Sequence, residues 1–191
     1  MARPREFDAD DALERATRLF WTKGFEQTSL DELCVATGLG RSSLYAAFGD
    51  KRGLYLRALA RYEERSAARI AQALAGKPIR DGLAAFLGTL VDDIVAGPGR
   101  RGCFIGNCAA ELARLDATTA ARVRRSLERI EAAFRDALAK DLGSDADVAA
   151  LARFLTAGIQ GLRLVGKANP DRAALEDIAS VMLRCLDAKE K

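Results

Sequence analysis

Residues 28–51 read TSLDELCVATGLGRSSLYAAFGDK. Ser29 to Thr37 has the pattern of one short helix. Ser29 is an N-cap residue type, and Glu32 three positions on completes an S-x-x-E capping box. Leu30, Leu33 and Cys34 give that segment an apolar face at i, i+3 and i+4. Gly38-Leu39-Gly40 interrupts it, and a glycine just past a helix end adopts the left-handed backbone that other residues resist. A second short helix is expected from about Arg41, with Leu44 and Phe48 inward. Two short helices joined by a glycine turn form the helix-turn-helix pattern. The same pattern also fits an ordinary helical hairpin with a solvated Arg/Ser face.

In a helix-turn-helix that reads DNA, the second helix enters the major groove and its N-terminal residues face base edges. The side chains here suit that arrangement. Arg41 can fork onto a guanine or pair with a phosphate. Ser42 and Ser43 are short enough for close approach. Tyr45 carries a hydroxyl for a phosphate oxygen, and Lys51 can hold the backbone as a point charge. Thr28 and Ser29 stand at the entry to the first short helix and complete the candidate DNA-binding set.

The wider run FWTKGFEQTSLDELCVATGLGRSSLYAAFGDKRGLY resembles the N-terminal domain of the TetR family of bacterial transcriptional repressors. The resemblance rests on Phe20-Trp21, Lys23-Gly24-Phe25, Thr28-Ser29, Leu33 and Gly38. After the turn it continues through Ser43-Leu44-Tyr45, Phe48 and Lys51. It spans roughly the first third of the chain; the rest is similar to the family in length and helical character. Many members carry a phosphate-contacting histidine where this chain has Ala47. The resemblance implies a repressor, bound as a homodimer to a palindromic operator in double-stranded DNA and released by a signal.

The chain has 191 residues, a net charge of +3, four cysteines and no histidine. The first 52 residues carry eight Lys/Arg and nine Asp/Glu, so a DNA-binding role rests on motif geometry and on segregation of charge to one face. The absence of histidine removes Ser-His and Cys-His catalysis and histidine metal ligation. An enzyme is not expected, and nothing calls for a cofactor or metal. Four cysteines without a CxxC pair fit a reducing compartment. No signal peptide and no membrane-length apolar run is evident, so a cytoplasmic protein with no membrane partner is expected.

Periodicity predicts an all-α fold of about nine helices. A helix-turn-helix domain occupies 1–52, preceded by a short arm with Arg3 and Arg5. A connecting helix spans 51–75, with Asp50 as its cap and Arg61, Glu63, Glu64, Arg65 and Arg69 on a solvated face. Gly76-Lys77-Pro78 marks the expected domain seam, and 76–191 forms a helical-bundle sensing and dimerisation domain. Within it the pattern gives helices at about 79–96, 103–115, 117–142, 145–167 and 171–188, with a flexible loop at 97–102. The last two helices are the expected dimer interface, through Leu151, Leu155, Gly158, Ile159, Leu162, Ile178, Val181 and Met182. Gly158 and Gly161 are spaced for close approach of another helix.

Two routes for a signal are legible. Cys103 follows a glycine loop carrying Arg100 and Arg101 and precedes a helix, a setting that favours a thiolate. Cys108, five residues on, lies about 140° around an ideal helix, so the two thiols do not share a face. Both cysteines also fit as small buried hydrophobes. The run RGCFIGNCAAELARL is similar to a TetR-like branch that senses reactive small molecules through a thiol, and the resemblance places the reactive cysteine at Cys103. The competing route is a small-molecule pocket lined by Phe86, Leu90, Phe104, Phe134 and Phe154. Asn107, Glu111, Gln160 and Arg163 are the nearest polar residues by helical phase. Cys34 and Cys185 fall on apolar stripes as core residues. A helical protein–protein module that never binds DNA is the alternative reading of the same two-helix surface.

Overall fold

The computed structural model describes residues 9–112, 116–143 and 147–187. Arg3 and Arg5 lie outside them. The described residues form nine α-helices: α1 (Ala9–Lys23), α2 (Leu30–Thr37), α3 (Arg41–Phe48), α4 (Lys51–Leu74), α5 (Ile79–Val95), α6 (Phe104–Leu112), α7 (Ala117–Leu142), α8 (Val148–Ala168) and α9 (Arg172–Asp187). The chain is all-helical, and its contacts gather it into two units, residues 1–64 and 65–191. The division falls inside α4 rather than at the glycine–proline break that follows it.

In the first unit, α1 to α3 and the first part of α4 close on Phe20, Leu33, Leu44, Leu54, Tyr55 and Leu59, each 0–1% exposed. Tyr55 meets Phe20 edge-on at 5.0 Å between ring centroids and Phe25 at 5.1 Å. Trp21 packs on Tyr62 at 4.9 Å. Aromatic pairs of this geometry add to simple area burial. Arg61 is not solvated as its place on α4 suggests. Its Nε reaches Glu14 at 3.2 Å and its Nη1 reaches Asp10 at 3.1 Å, tying α4 to α1. Glu63, also expected on the solvated face, is buried.

In the second unit, α5 packs on α9, α7 on α8, and α6 on α7. Leu83, Leu90, Ile94, Phe134, Leu155 and Leu162 are almost fully enclosed. Asp116 caps α7 by accepting from the backbone N–H groups of Thr118 and Thr119, and Asp147 caps α8 by accepting from Ala150 at 3.0 Å. These caps satisfy backbone donors that a helix start leaves open. The segment read as a flexible loop is a 3₁₀ turn, Pro98–Arg101, packed on α5. A Cβ at Gly99 would lie 2.7 Å from the Ile94 backbone nitrogen, so the glycine permits that contact. Cys34 and Cys185 are half-buried rather than core.

By length and composition α8 qualifies as a membrane-crossing helix, where no such run is expected from the sequence. Its apolar residues divide between two faces. One packs inside the unit. The other is exposed and carries Phe154 (42%), Leu164 (69%) and Val165 (41%).

Candidate DNA-reading surface and signal site

The reading surface is built by its caps. The Ser29 Oγ accepts from the Glu32 N–H at 3.2 Å, and the Glu32 Oε2 accepts from the Ser29 N–H at 2.9 Å. The expected capping box is therefore present, and it fixes where α2 begins. Lys23 also binds the Glu32 carboxylate. That hydrogen bond, with those from Ser29, lowers the Glu32 pKa to about 2. Gly38 ends α2 at φ 72° and donates its N–H to the Cys34 carbonyl at 2.9 Å. Leu44 and Phe48 then anchor α3 in the core.

This anchoring turns Arg41, Ser42, Ser43 and Tyr45 outward together, Tyr45 being 44% exposed. Asp50 accepts from the Gly53 N–H at 2.6 Å at the start of α4. There Lys51 lies 4.4 Å from the centroid of the Phe25 ring. Arg41 is held by Asp31 of α2, through its Nη2 at 2.5 Å and its Nε at 3.2 Å. This hydrogen bond and the charge of Asp31 raise the Arg41 pKa above its ordinary value. The sequence reading missed Asp31 as a partner, although its place in the first turn of α2, across the glycine turn from Arg41, is the available signal.

Two members of the candidate DNA-binding set are otherwise occupied. Thr28 is fully buried and its Oγ1 donates to the Gly24 carbonyl at 2.6 Å. Its hydroxyl is part of the turn between α1 and α2 and is removed from the surface set. Ser29 is exposed, but its hydroxyl serves the cap as both acceptor and donor.

In the second unit the candidate signal residues separate into groups. Phe86, Phe104, Phe134, Cys103 and Cys108 are buried, with Cys103 6% exposed and Cys108 fully enclosed. Asn107 is half-buried; its Nδ2 donates to the Arg101 carbonyl at 2.9 Å and its Oδ1 accepts from Lys167 at 3.4 Å. Glu111 is half-buried. Gln160 comes close to Cys103 around Gly106: a Cβ there would meet the Gln160 Oε1 at 3.2 Å and the Cys103 Cβ at 3.5 Å. Phe154 is exposed and does not line an interior pocket. An open groove of about 430 Å³ between α7 and α8 includes Val123, Leu127, Arg153, Thr156 and Gln160 but none of the candidate cysteines or phenylalanines.

The expected dimer residues also need correction. Leu155, Ile159, Leu162 and Met182 are 0–3% exposed within one protomer. Gly158 faces Met182 of its own chain, with a Cβ position 2.7 Å from the methionine methyl. Leu151 and Ile178 are half-buried and Val181 is 46% exposed. Phe154, Leu164 and Val165 are the large apolar residues that α8 leaves exposed. The available signal was that α8 is apolar around more of its circumference than one core can cover.

Comparison with known proteins gives this geometry its setting. Residues 12–58 match the family model described as bacterial regulatory proteins, tetR family, and residues 80–181 match the LmrA/YxaF-like C-terminal domain of transcriptional regulators. The chain belongs to the TetR family of transcriptional regulators. It is 33% identical to the uncharacterized HTH-type transcriptional regulator YezE of Bacillus subtilis (strain 168), over 98% of this chain and 100% of the relative. It is also 33% identical to the HTH-type transcriptional repressor ComR of Escherichia coli (strain K12), over 95% of this chain and 90% of the relative. Among solved structures it is similar to a cysteine mutant of the TetR family transcriptional regulator CifR complexed with 26-bp double-strand operator DNA. That likeness has a TM-score of 0.83 and 33% identity, covering 95% of this chain and 98% of the other. TetR-family regulators are DNA-binding helix-turn-helix proteins and not enzymes, which excludes the reading of the two-helix surface as a module that never meets DNA.

Proposed function

We propose that this TetR-family protein is a dimeric repressor that binds a palindromic operator and is released by a signal received in residues 76–191. The observation that carries the reading is the outward set Arg41, Ser42, Ser43 and Tyr45 on a capped, core-anchored α3. Arg41 reads a base or holds a phosphate, Ser42 and Ser43 permit close approach, and Tyr45 and Lys51 hold the backbone. Similarity to CifR, found with operator DNA, and to the repressor ComR supports this. Residues 51–75 connect the DNA-binding residues 1–52 to the sensing domain.

Dimerisation uses the exposed stripe of α8 and α9, Phe154, Gly161, Leu164, Val165 and Val181, flanked by half-buried Leu151 and Ile178. A stripe of this kind marks an interaction surface, and a two-fold reader needs two half-sites. The signal is a small molecule entering the helical domain. Thiol chemistry at Cys103 is a second route, favoured by the place of that thiol between Arg101 and the start of α6. A signal must favour the geometry that does not fit DNA.

The test is fluorescence anisotropy with duplexes tiled across the DNA flanking the protein's own gene, with and without a thiol oxidant. Tight binding to one palindrome, weakening with salt by about 0.9 log units per decade for each phosphate neutralised, is expected. Loss on oxidation that a Cys103→Ser variant resists would assign the signal to the thiol. Binding that ignores oxidant assigns it to a ligand. No preference for any duplex refutes the operator reading.

A further inference from the structure

Arg41 is the first residue of α3 and is held from outside its own helix. Its Nε and Nη2 both donate to the Asp31 Oδ1, at 3.2 and 2.5 Å, across the glycine turn. Other arginines of the first unit pair differently. Arg15 with Asp11 and Arg18 with Glu14 are pairs one turn apart on α1, and Arg61 pins α4 to α1 from a half-buried place. The Arg41–Asp31 pair joins two helices, yet its side chains are 62% and 74% exposed. An ion pair so exposed contributes little to stability. What it fixes is the direction of the guanidinium.

Nε and Nη2 lie along one edge of that planar group, and Asp31 occupies this edge. Of the five N–H donors of a guanidinium, the two on Nη1 and one on Nη2 remain. They form the end fork, which matches the O6 and N7 acceptors of guanine in the major groove. Adenine sets an N6 donor beside its N7, so it cannot satisfy both arms of the fork. Asp31 also alters what a phosphate meets. Its carboxylate offsets the Arg41 charge and repels a phosphate oxygen nearby. Phosphates are held largely by charge, whereas a guanine edge is matched by donor geometry. The carboxylate therefore disfavours the backbone more than the base.

We propose that Asp31 is a specificity-determining positioning residue: it turns the end fork of Arg41 away from phosphate and onto a guanine in each half-site. This rests on the proposed operator-binding function and names the base that Arg41 reads. Affinity is given up for discrimination, because removing the carboxylate would free a full positive charge at the DNA surface.

The experiment uses the full chain and a pool of double-stranded DNA with a randomised segment. Bound duplexes are sequenced for the wild type, Asp31→Ala, Arg41→Ala and the double variant. The duplex that the wild type enriches is then measured by anisotropy over a salt series, with guanine replaced by adenine or by 7-deazaguanine at the Arg41-sensitive position. The wild type is expected to enrich a guanine in each half-site that Arg41→Ala no longer selects. Asp31→Ala is expected to lower the guanine-over-adenine ratio there by about tenfold. It is also expected to bind unrelated duplexes more tightly, with a salt slope steeper by about 0.9 log units per decade for each Arg41 returned to a phosphate. Removing the guanine N7 with 7-deazaguanine is expected to cost the wild type more than Asp31→Ala. In the Arg41→Ala background, Asp31→Ala is expected to leave preference at that position unchanged. Asp31→Asn keeps an acceptor without the charge, and is expected to retain more of the guanine preference than Asp31→Ala.

The proposal is overturned if Asp31→Ala keeps the wild-type ratio, or if the Arg41-sensitive base is not guanine. It is overturned too if Asp31→Ala relaxes every position alike, or acts equally without Arg41. Those results would mark a carboxylate that only offsets the positive end of α3. Failure of the operator reading shows separately, as no sequence enriched by the wild type.

Discussion

Gly166 of α8 packs against Ile94 of α5, and replacing it with alanine tests that packing directly. A Cβ there would lie 2.6 Å from the Ile94 Cγ2, 3.0 Å from Cδ1 and 3.4 Å from Cγ1. Carbon atoms in good contact sit about 3.5–4.0 Å apart, so the nearest pair must separate by roughly 1 Å. Ile94 cannot readily turn aside: it is fully buried and its β-branch leaves one strongly preferred rotamer in a helix. Overpacking of this kind costs about 1–3 kcal/mol, offset by about 0.5–1 kcal/mol for alanine over glycine in a helix. Gly166→Ala is therefore expected to destabilise the second unit by roughly 0.5–2 kcal/mol. Ile94→Ala alone is expected to cost about 2–5 kcal/mol as a buried large-to-small change. The double variant removes these three contacts, so its cost falls short of the summed singles by about 1 kcal/mol or more. Urea unfolding followed by far-ultraviolet circular dichroism gives the cycle. Trp21, the chain's single tryptophan, follows the first unit separately by fluorescence. Additivity within about 0.5 kcal/mol, or a Gly166→Ala as stable as wild type, would refute the argument.

Gly88 of α5 supplies the opposite case: a Cβ there meets nothing within 4 Å, so Gly88→Ala is expected to stabilise by about 0.5–1 kcal/mol in the same urea assay. Ser29→Ala removes the α2 cap and is expected to cost about 1 kcal/mol in the Trp21 transition. The Glu32 carboxyl, lowered from 4.5 to about 2 by Lys23 and Ser29, contributes stability that is present above about pH 4.5 and lost as pH falls towards 2; Glu32→Gln should flatten that part of the Trp21 stability profile. Leu164→Glu on the exposed stripe is expected to halve the mass measured by light scattering, whereas Leu155→Ala in the core lowers stability and leaves the mass unchanged. Arg41→Ala is expected to weaken operator binding and relax preference at one base pair; unchanged discrimination between operator variants would limit Arg41 to holding the backbone.

Local signals proved legible where one residue decides one feature. Ser29 and Glu32 mark the start of α2, Gly38 its end, and Asp50 the start of α4, because each cap involves atoms only a few positions apart. The ends of α7 are likewise written in Asp116 and Gly143. Features that depend on a distant partner were not legible. Thr28 has the composition of a surface hydroxyl, but the turn from Gly24 folds it inward. Arg61 and Glu63 look solvated on a helical wheel, yet the first lies against Asp10 and Glu14 of another helix and the second is enclosed.

Helix α8 shows why this limit falls hardest on function. Its apolar residues satisfy two demands, and periodicity reports only their sum. Leu155, Ile159 and Leu162 meet the core of their own unit, while Phe154, Leu164 and Val165 face outward. A helix with one apolar face could be assigned from sequence; one with two cannot be divided until the neighbours are known.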